Sequence, residues 1–106
     1  MELKRYKKRA SKKGIKFKLT EKWLLEELKI GKCAVTGIPF KLKPKNSTLN
    51  SYLPSIDRID SNKGYTEDNC QLVIIGYNNL KSDNDIDTVT LFCKNFVKKY
   101  KEEQNK

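Results

Sequence analysis

The apolar residues of this chain fall in short clusters that are separated by long polar and charged stretches. Residues 2–13 have a helix-favouring composition with few apolar positions, and Gly14 is suited to end a helix there. Thr20 is a good N-cap for a second helix that extends to about residue 30. The buried face of that second helix is predicted at three apolar positions in helical spacing, namely Trp23, Leu24 and Leu28.

The middle of the chain alternates turn residues with short apolar runs, as strands and hairpins do. Residues 33–40 (CAVTGIPF) predict a strand–turn–strand unit with its turn at Thr36-Gly37, and the polar residues 41–53 predict a loop. A strand is predicted at residues 55–59, after Pro54. A buried strand is predicted at residues 70–75, and the turn-rich sequence DSNKGYTEDN joins the two. A short helix through Tyr77, Asn78 and Leu80 is expected to follow.

The last part of the chain predicts a single helix. Either Asp85 or Asp87 is suited to cap it. Five apolar or thiol side chains recur there at helical spacing and predict a face packed against the core: Val89, Phe92, Cys93, Phe96 and Tyr100. Strands in the middle and helices at both ends predict an α+β fold.

The length of the chain and its lack of an internal repeat limit the number of domains. The 106 residues contain no internal repeat and suffice for one small domain. We expect residues 1–18 to form a basic arm or helix and residues 19–106 to form a single domain.

Positive charge is concentrated at the N-terminus. The chain has a net charge of +10, and residues 1–18 carry nine basic residues against the single acid Glu2. A dense basic segment attracts polyanions and releases counterions on binding, so double-stranded DNA is the expected partner. A solvated terminal helix without a partner, or an anionic membrane surface, would also fit. The expected DNA contacts in this segment are Lys4, Arg5, Lys7, Lys8, Arg9, Lys12 and Lys13.

Several classes of protein are not expected. No apolar run approaches the ~18 residues of a membrane span, and the start MELKRYKKRA lacks the apolar part of a signal peptide, so we expect a cytoplasmic protein without a membrane partner. Structural zinc is not expected either, because the chain has no histidine and no closely spaced cysteine pair. Cys33, Cys70 and Cys93 are expected to be reduced thiols.

Two polar residues in the middle of the chain have the spacing of a metal site. Asp57 lies near the end of a predicted strand, and Asn78 lies 21 residues later in a predicted helix. In a strand–strand–helix unit the two side chains can converge as hard oxygen ligands, leaving other coordination positions for water and a substrate phosphate. A surface aspartate and a helix-capping asparagine would explain the same pattern.

Several motifs together resemble a family of phage and prophage proteins classed with HNH endonucleases: RASKKGIKFKLT, CAVTGIPF, PSIDRIDSNKGYTEDNCQLV and YNNLKSD. The resemblance covers nearly the whole chain. It implies a ββα-metal core flanked by an N-terminal basic helix, a second packed helix and a C-terminal helix. It also implies that Asp57 and Asn78 bind Mg²⁺ or Mn²⁺, that Asn69 holds the loop between the strands, and that a phage or prophage in a bacterial cell encodes the protein.

Arg58 stands where the resembling family has its water-activating histidine. An arginine stays protonated and cannot take a proton from water, but it can contact a phosphate and stabilise charge in the transition state. The water would then be activated by the ion, by bulk hydroxide, or by Tyr65 or Asp60. Lys63 and Lys81 are expected either to contact the DNA backbone or to be solvated.

Three functions follow from these observations. The first is a divalent-metal-dependent DNA endonuclease with Asp57, Arg58, Asn69 and Asn78 in its catalytic site. The second is a DNA-binding module that keeps the fold without the chemistry, and the third is a phage protein that binds a host factor. A homodimer, with each copy cutting one strand, also stays open.

Overall fold

The computed structural model describes residues 1–41 and 50–105. Most of the loop predicted at residues 41–53 therefore lies outside the described residues. Within them the chain forms four α-helices, a 3₁₀ turn and a two-stranded antiparallel sheet, which confirms the predicted α+β fold. In chain order the elements are α1 (Leu3–Lys13), α2 (Glu21–Ile30), β1 (Pro54–Arg58), the 3₁₀ turn (Glu67–Asn69), β2 (Cys70–Ile74), α3 (Ile75–Lys81) and α4 (Ile86–Gln104).

The two strands and the helix that follows them form a ββα unit. β1 and β2 pair with Ile56 opposite Leu72 and Asp57 opposite Gln71, and α3 starts directly after β2. Side chains alternate across a strand, so the two pairs face opposite sides of the sheet. Ile56 and Leu72 join a core with α1 and α2, whereas Val73 joins a second core with α3 and α4.

The N-terminal segment belongs to the first of these cores. Leu3 and Ala10 of α1 are buried against the same cluster as Ile56 and Leu72. After α1 the chain pairs with the loop between the strands, because the backbone N–H of Tyr65 donates to the carbonyl of residue 16 and that of residue 18 donates to the carbonyl of Tyr65, both at 2.8 Å. Residues 1–18 therefore form part of the packed domain and not a free-standing arm.

Local capping signals are met where the sequence predicts them. The Thr20 hydroxyl accepts the backbone N–H of Trp23 at 3.1 Å, and the Asp85 carboxylate accepts that of Thr88 at 2.8 Å. Gly14 and Gly31 follow α1 and α2 with φ of 66° and 75°, the left-handed conformation that glycine adopts without steric cost. The structure confirms these predicted helix boundaries.

The strand–turn–strand unit predicted at residues 33–40 is reduced to a tight turn. Gly37 adopts a φ of 73° and donates its N–H to the carbonyl of Cys33. Only one isolated bridge, between Lys32 and Pro39, joins the two sides within the described residues. Proline lacks an N–H for further ladder bonds, and the segment is too short to form strands.

The apolar face of α4 is mostly exposed, which corrects the prediction that it packs on the core. Of the five positions, only Val89 is buried, with 3% of its surface exposed, whereas Phe96 is 70% exposed. Helical periodicity places these side chains on one face, but α4 continues beyond the small sheet, and no element of the described residues covers it after Val89.

None of the helices in residues 1–41 and 50–105 combines the length and the apolar content that crossing a membrane requires.

Val89 and Phe96 should differ sharply in their contribution to stability. Val89→Ala removes buried methyl groups and should lower the free energy of unfolding by about 2 kcal/mol. Phe96→Ala on the same helix should change it by less than about 0.5 kcal/mol, as exposed substitutions do. Urea unfolding measures both. An equally large loss for Phe96→Ala would show that the face is packed in solution, as in the homodimer that the sequence leaves open.

Candidate nucleic-acid interface

A cleft of about 410 Å³ lies between α1 and the ββα unit. Arg5, Arg9 and Lys13 line it from α1, and Arg58 lines it from the end of β1. The three α1 residues are four positions apart, so they share one face of the helix. The acidic residues among its lining are Asp83, which is exposed, and Asp57, which is buried. Within the described residues, none of the four cations belongs to an ion pair.

Packing fixes the side of α1 that faces this cleft. Leu3 and Ala10 are buried, which sets the rotation of the helix. The Tyr6 hydroxyl accepts the backbone N–H of Ile56 at 3.3 Å and lies 3.4 Å from the hydroxyl of Ser55. α1 is thereby tied to β1, and its basic face is held over the cleft.

The Arg58 side chain is oriented by the loop between the strands. Its guanidinium donates to the carbonyl of Lys63 at 3.0 Å and lies 5.0 Å from the centroid of the Tyr65 ring. Both contacts use part of the guanidinium, and the side chain stays half-buried at the cleft. A guanidinium in a fixed orientation suits a phosphate better than a freely rotating one, since less rotamer freedom is lost on binding.

Asn69 connects both ends of that loop. Its side-chain oxygen accepts the backbone N–H of Asp60 at 2.9 Å, and its amide nitrogen donates to the carbonyls of Asp60 and Gly64 at 3.1 and 2.9 Å. Asn69 is buried, and within residues 1–41 and 50–105 its side-chain hydrogen bonds run to backbone atoms. The geometry therefore gives Asn69 a positioning role for the loop that holds Arg58.

Asp57 forms a buried ion pair with Lys81. The ammonium lies 2.6 Å from one carboxylate oxygen of Asp57, and Gln71 donates to the other oxygen at 3.0 Å. Asp57 and Lys81 are 3% and 4% exposed. The charged end of Lys81, a predicted contact of the DNA backbone, is enclosed by the protein in this structure.

Asn78 anchors α3 to β1. Its amide nitrogen donates to the hydroxyl of Ser55 at 2.8 Å and to the carbonyl of Ile56 at 3.2 Å. Asp57, Arg58 and Asn78 are all among the lining residues of the cleft, while the side chains of Asp57 and Asn78 have different hydrogen-bond partners.

The arrangement does not fit a divalent ion bound to Asp57. Both carboxylate oxygens are engaged, and Mg²⁺ would have to approach at about 2.0–2.1 Å an oxygen that already holds an ammonium. A divalent ion about 4 Å from that ammonium would be repelled by about 8 kcal/mol at an effective dielectric constant of about 20. Elsewhere in residues 1–41 and 50–105, no three cysteine or acidic side chains converge as a metal site.

The remaining predicted residues lie outside the cleft or have other partners. Lys63 is exposed on the loop, and its carbonyl accepts from Arg58. Asp60 accepts the backbone N–H of Asn62 at 2.9 Å, so it stabilises a turn. Tyr65 is buried and lines the cleft beneath Arg58. Four lysines of α1 are exposed and do not line the cleft: Lys4, Lys7, Lys8 and Lys12.

Sequence reasoning missed the polar partners of the predicted residues. The hydroxyl of Ser55 accepts from the amide of Asn78 and lies within hydrogen-bond distance of the hydroxyl of Tyr6. Gln71 lies opposite Asp57 on the neighbouring strand and donates to its carboxylate. The position of Lys81 in the sequence gives one indication of its burial. Lys81 lies three residues after Asn78 and four after the buried Tyr77, and therefore on the same face of the helix.

Comparison with known proteins gives one viral relative. The chain is 33% identical over 97 residues to "Uncharacterized protein R423" of Acanthamoeba polyphaga mimivirus, a match that covers 92% of the chain and 16% of the relative. The chain thus corresponds to a small part of that protein's length. No family model and no solved structure matches the chain.

The Asp57–Lys81 pair should contribute far more to stability than an exposed ion pair. Lys81→Met leaves a buried carboxylate without its cation and should cost about 3–5 kcal/mol in urea unfolding. Asp57→Asn combined with Lys81→Met should cost less than the sum of the single changes.

Lys99→Met is the matched control, since it removes an exposed pair with Glu103 at 3.5 Å and should cost at most about 0.5 kcal/mol. Equal small losses for Lys81→Met and Lys99→Met would contradict the buried pair.

Proposed function

We propose that this protein binds double-stranded DNA by its phosphodiester backbone in the cleft between α1 and the ββα unit. The observation that carries the proposal is the alignment of Arg5, Arg9 and Lys13 on one helix face opposite Arg58. Four cations around one groove suit the closely spaced phosphates of a nucleic-acid strand. The excess of positive charge at the N-terminus supports the same partner.

Arg58 is the residue that we expect to bind a phosphate most directly. Its guanidinium is held by the carbonyl of Lys63 and by the ring of Tyr65, so its donors are oriented before DNA arrives. Arginine can donate two parallel hydrogen bonds to a phosphate. Contacts of this kind position the backbone and give affinity, but they read no base sequence.

Phosphodiester hydrolysis is a second candidate function. It is favoured by the meeting of Asp57, Arg58 and Asn78 in the same cleft. Arg58 could stabilise the charge that develops on the phosphate, while Asn69 keeps its loop in place. The Mg²⁺ or Mn²⁺ dependence expected from the sequence belongs to this candidate. The pairing of Asp57 with Lys81 speaks against an ion bound to this carboxylate.

Neutralising the cleft should weaken DNA binding more than neutralising the other side of α1. The triple change Arg5→Gln, Arg9→Gln and Lys13→Gln removes three phosphate contacts. The slope of log affinity against log salt should then become shallower by about 3. A binding titration on duplex DNA at several salt concentrations measures this slope.

Lys4→Gln, Lys7→Gln and Lys8→Gln removes the same charge from the opposite side of the helix and is the matched control. It should leave the slope within about 1 of the parent. Equal effects of the two triple variants would contradict a role for the cleft. No DNA binding at low salt would favour the third function, a protein that binds a host factor.

A plasmid-nicking assay separates binding from hydrolysis. Under the binding proposal, supercoiled plasmid stays intact with Mg²⁺, with Mn²⁺ and with EDTA. Nicking that disappears in both Asp57→Asn and Asn78→Ala would establish the second candidate instead. Arg58→Ala should weaken binding in either case, so it serves as a control that the cleft is engaged.

A further inference from the structure

The ammonium of Lys81 sits among oxygens from three successive residues. It lies 2.6 Å from a carboxylate oxygen of Asp57, 2.6 Å from the carbonyl of Arg58 and 3.4 Å from the carbonyl of Ile59. A carboxylate with two backbone carbonyls is a set of hard oxygens that suits a cation. We propose that Lys81 is the resident cation of this site, and that the folded protein binds no divalent ion at Asp57.

The hydrogen-bonding capacity of the ammonium matches this set of oxygens. Lysine has three N–H donors and no acceptor, and three oxygen acceptors surround its nitrogen. Both oxygens of the Asp57 carboxylate also have a donor, since Lys81 donates to the first and Gln71 donates to the second at 3.0 Å. Every charged atom of the pair is therefore matched inside the protein, with no coordination position that requires an ion.

The fold also holds Lys81 in this position. Lys81 is the last residue of α3, and Asn78 one turn earlier is hydrogen-bonded to Ser55 and Ile56 of β1. The helix that carries Lys81 is thus hydrogen-bonded to β1, the strand whose end supplies the oxygens around the ammonium. An ion from solution would have to displace it and leave a buried ammonium without a partner, which is strongly unfavourable.

The cation that neutralises Asp57 is therefore part of the chain. This inference rests on the site described above, but it does not depend on DNA binding. It would hold equally if the cleft bound another partner.

Mn²⁺ alone, without DNA, tests the proposal. The wild-type protein, Lys81→Ala, and Lys81→Ala combined with Asp57→Asn are titrated with Mn²⁺, and binding is followed by the electron paramagnetic resonance of free Mn²⁺. We expect no binding at this site by the wild type. Lys81→Ala should bind one Mn²⁺ and melt at a higher temperature in its presence, and the double variant should lose both effects. If Lys81→Ala does not fold, Lys81→Gln replaces it.

Two outcomes would overturn the proposal. The first is binding of Mn²⁺ by the wild type that broadens the backbone NMR signals of residues 57 and 78, a measurement that needs no variant. The second is a folded Lys81 variant that gains neither Mn²⁺ binding nor thermal stability from it. Neither outcome changes the DNA-binding titration, so failure here is distinguishable from failure of the proposed function.

Discussion

The buried pair of Asp57 and Lys81 joins the end of β1 to the end of α3. Removing one partner of such a pair leaves an uncompensated charge in the interior, at a cost of about 3–5 kcal/mol. That is a large part of the roughly 5–15 kcal/mol by which domains are usually stable. The ion pair therefore adds an electrostatic link to the packing between the two elements, and Arg58 and Asn78 line the same cleft.

The rest of the domain compensates for the small size of the sheet. Two strands alone are marginally stable in water, so both faces of this sheet need cover from helices. α1 and α2 cover the face with Ile56, while α3 and the start of α4 cover the other face. The chain approaches itself closely on the first side, where a Cβ added at Gly64 would lie 2.8 Å from the carbonyl of Lys16. The basic helix α1 is thus both a structural element and one wall of the cleft.

Local signals made much of this fold predictable from the sequence. The caps at Thr20 and Asp85 and the break at Gly14 depend on neighbouring residues only, and they lie where the pattern predicts. The order strand, turn, strand, helix restricts where Asp57 and Asn78 can lie, and both are among the lining residues of one cleft.

The features that could not be predicted from the sequence depend on contacts between residues that are distant along the chain. The burial of Lys81 depends on a partner 24 residues away, and a lysine is most often solvated. Periodicity places Phe96 on the same helix face as Val89, yet it cannot tell whether another element covers that face. The polar network around Tyr6 also joins segments that are distant in the sequence.

Charge balance bears on the proposed binding of a polyanion, because two acidic residues are among the lining residues of the cleft. Without a partner, the negative charge of Asp57 would oppose a phosphate in this cleft. The ammonium of Lys81 removes that negative charge without occupying the cleft, and Gln71 satisfies the remaining oxygen.

Within the described residues, no buried side-chain nitrogen or oxygen lacks a hydrogen-bond partner. The charge that solvent meets is then set by Arg5, Arg9, Lys13 and Arg58, with Asp83 as the opposing group. Because arginine and lysine stay protonated at neutral pH, ionic strength should control the attraction of this cleft for phosphate.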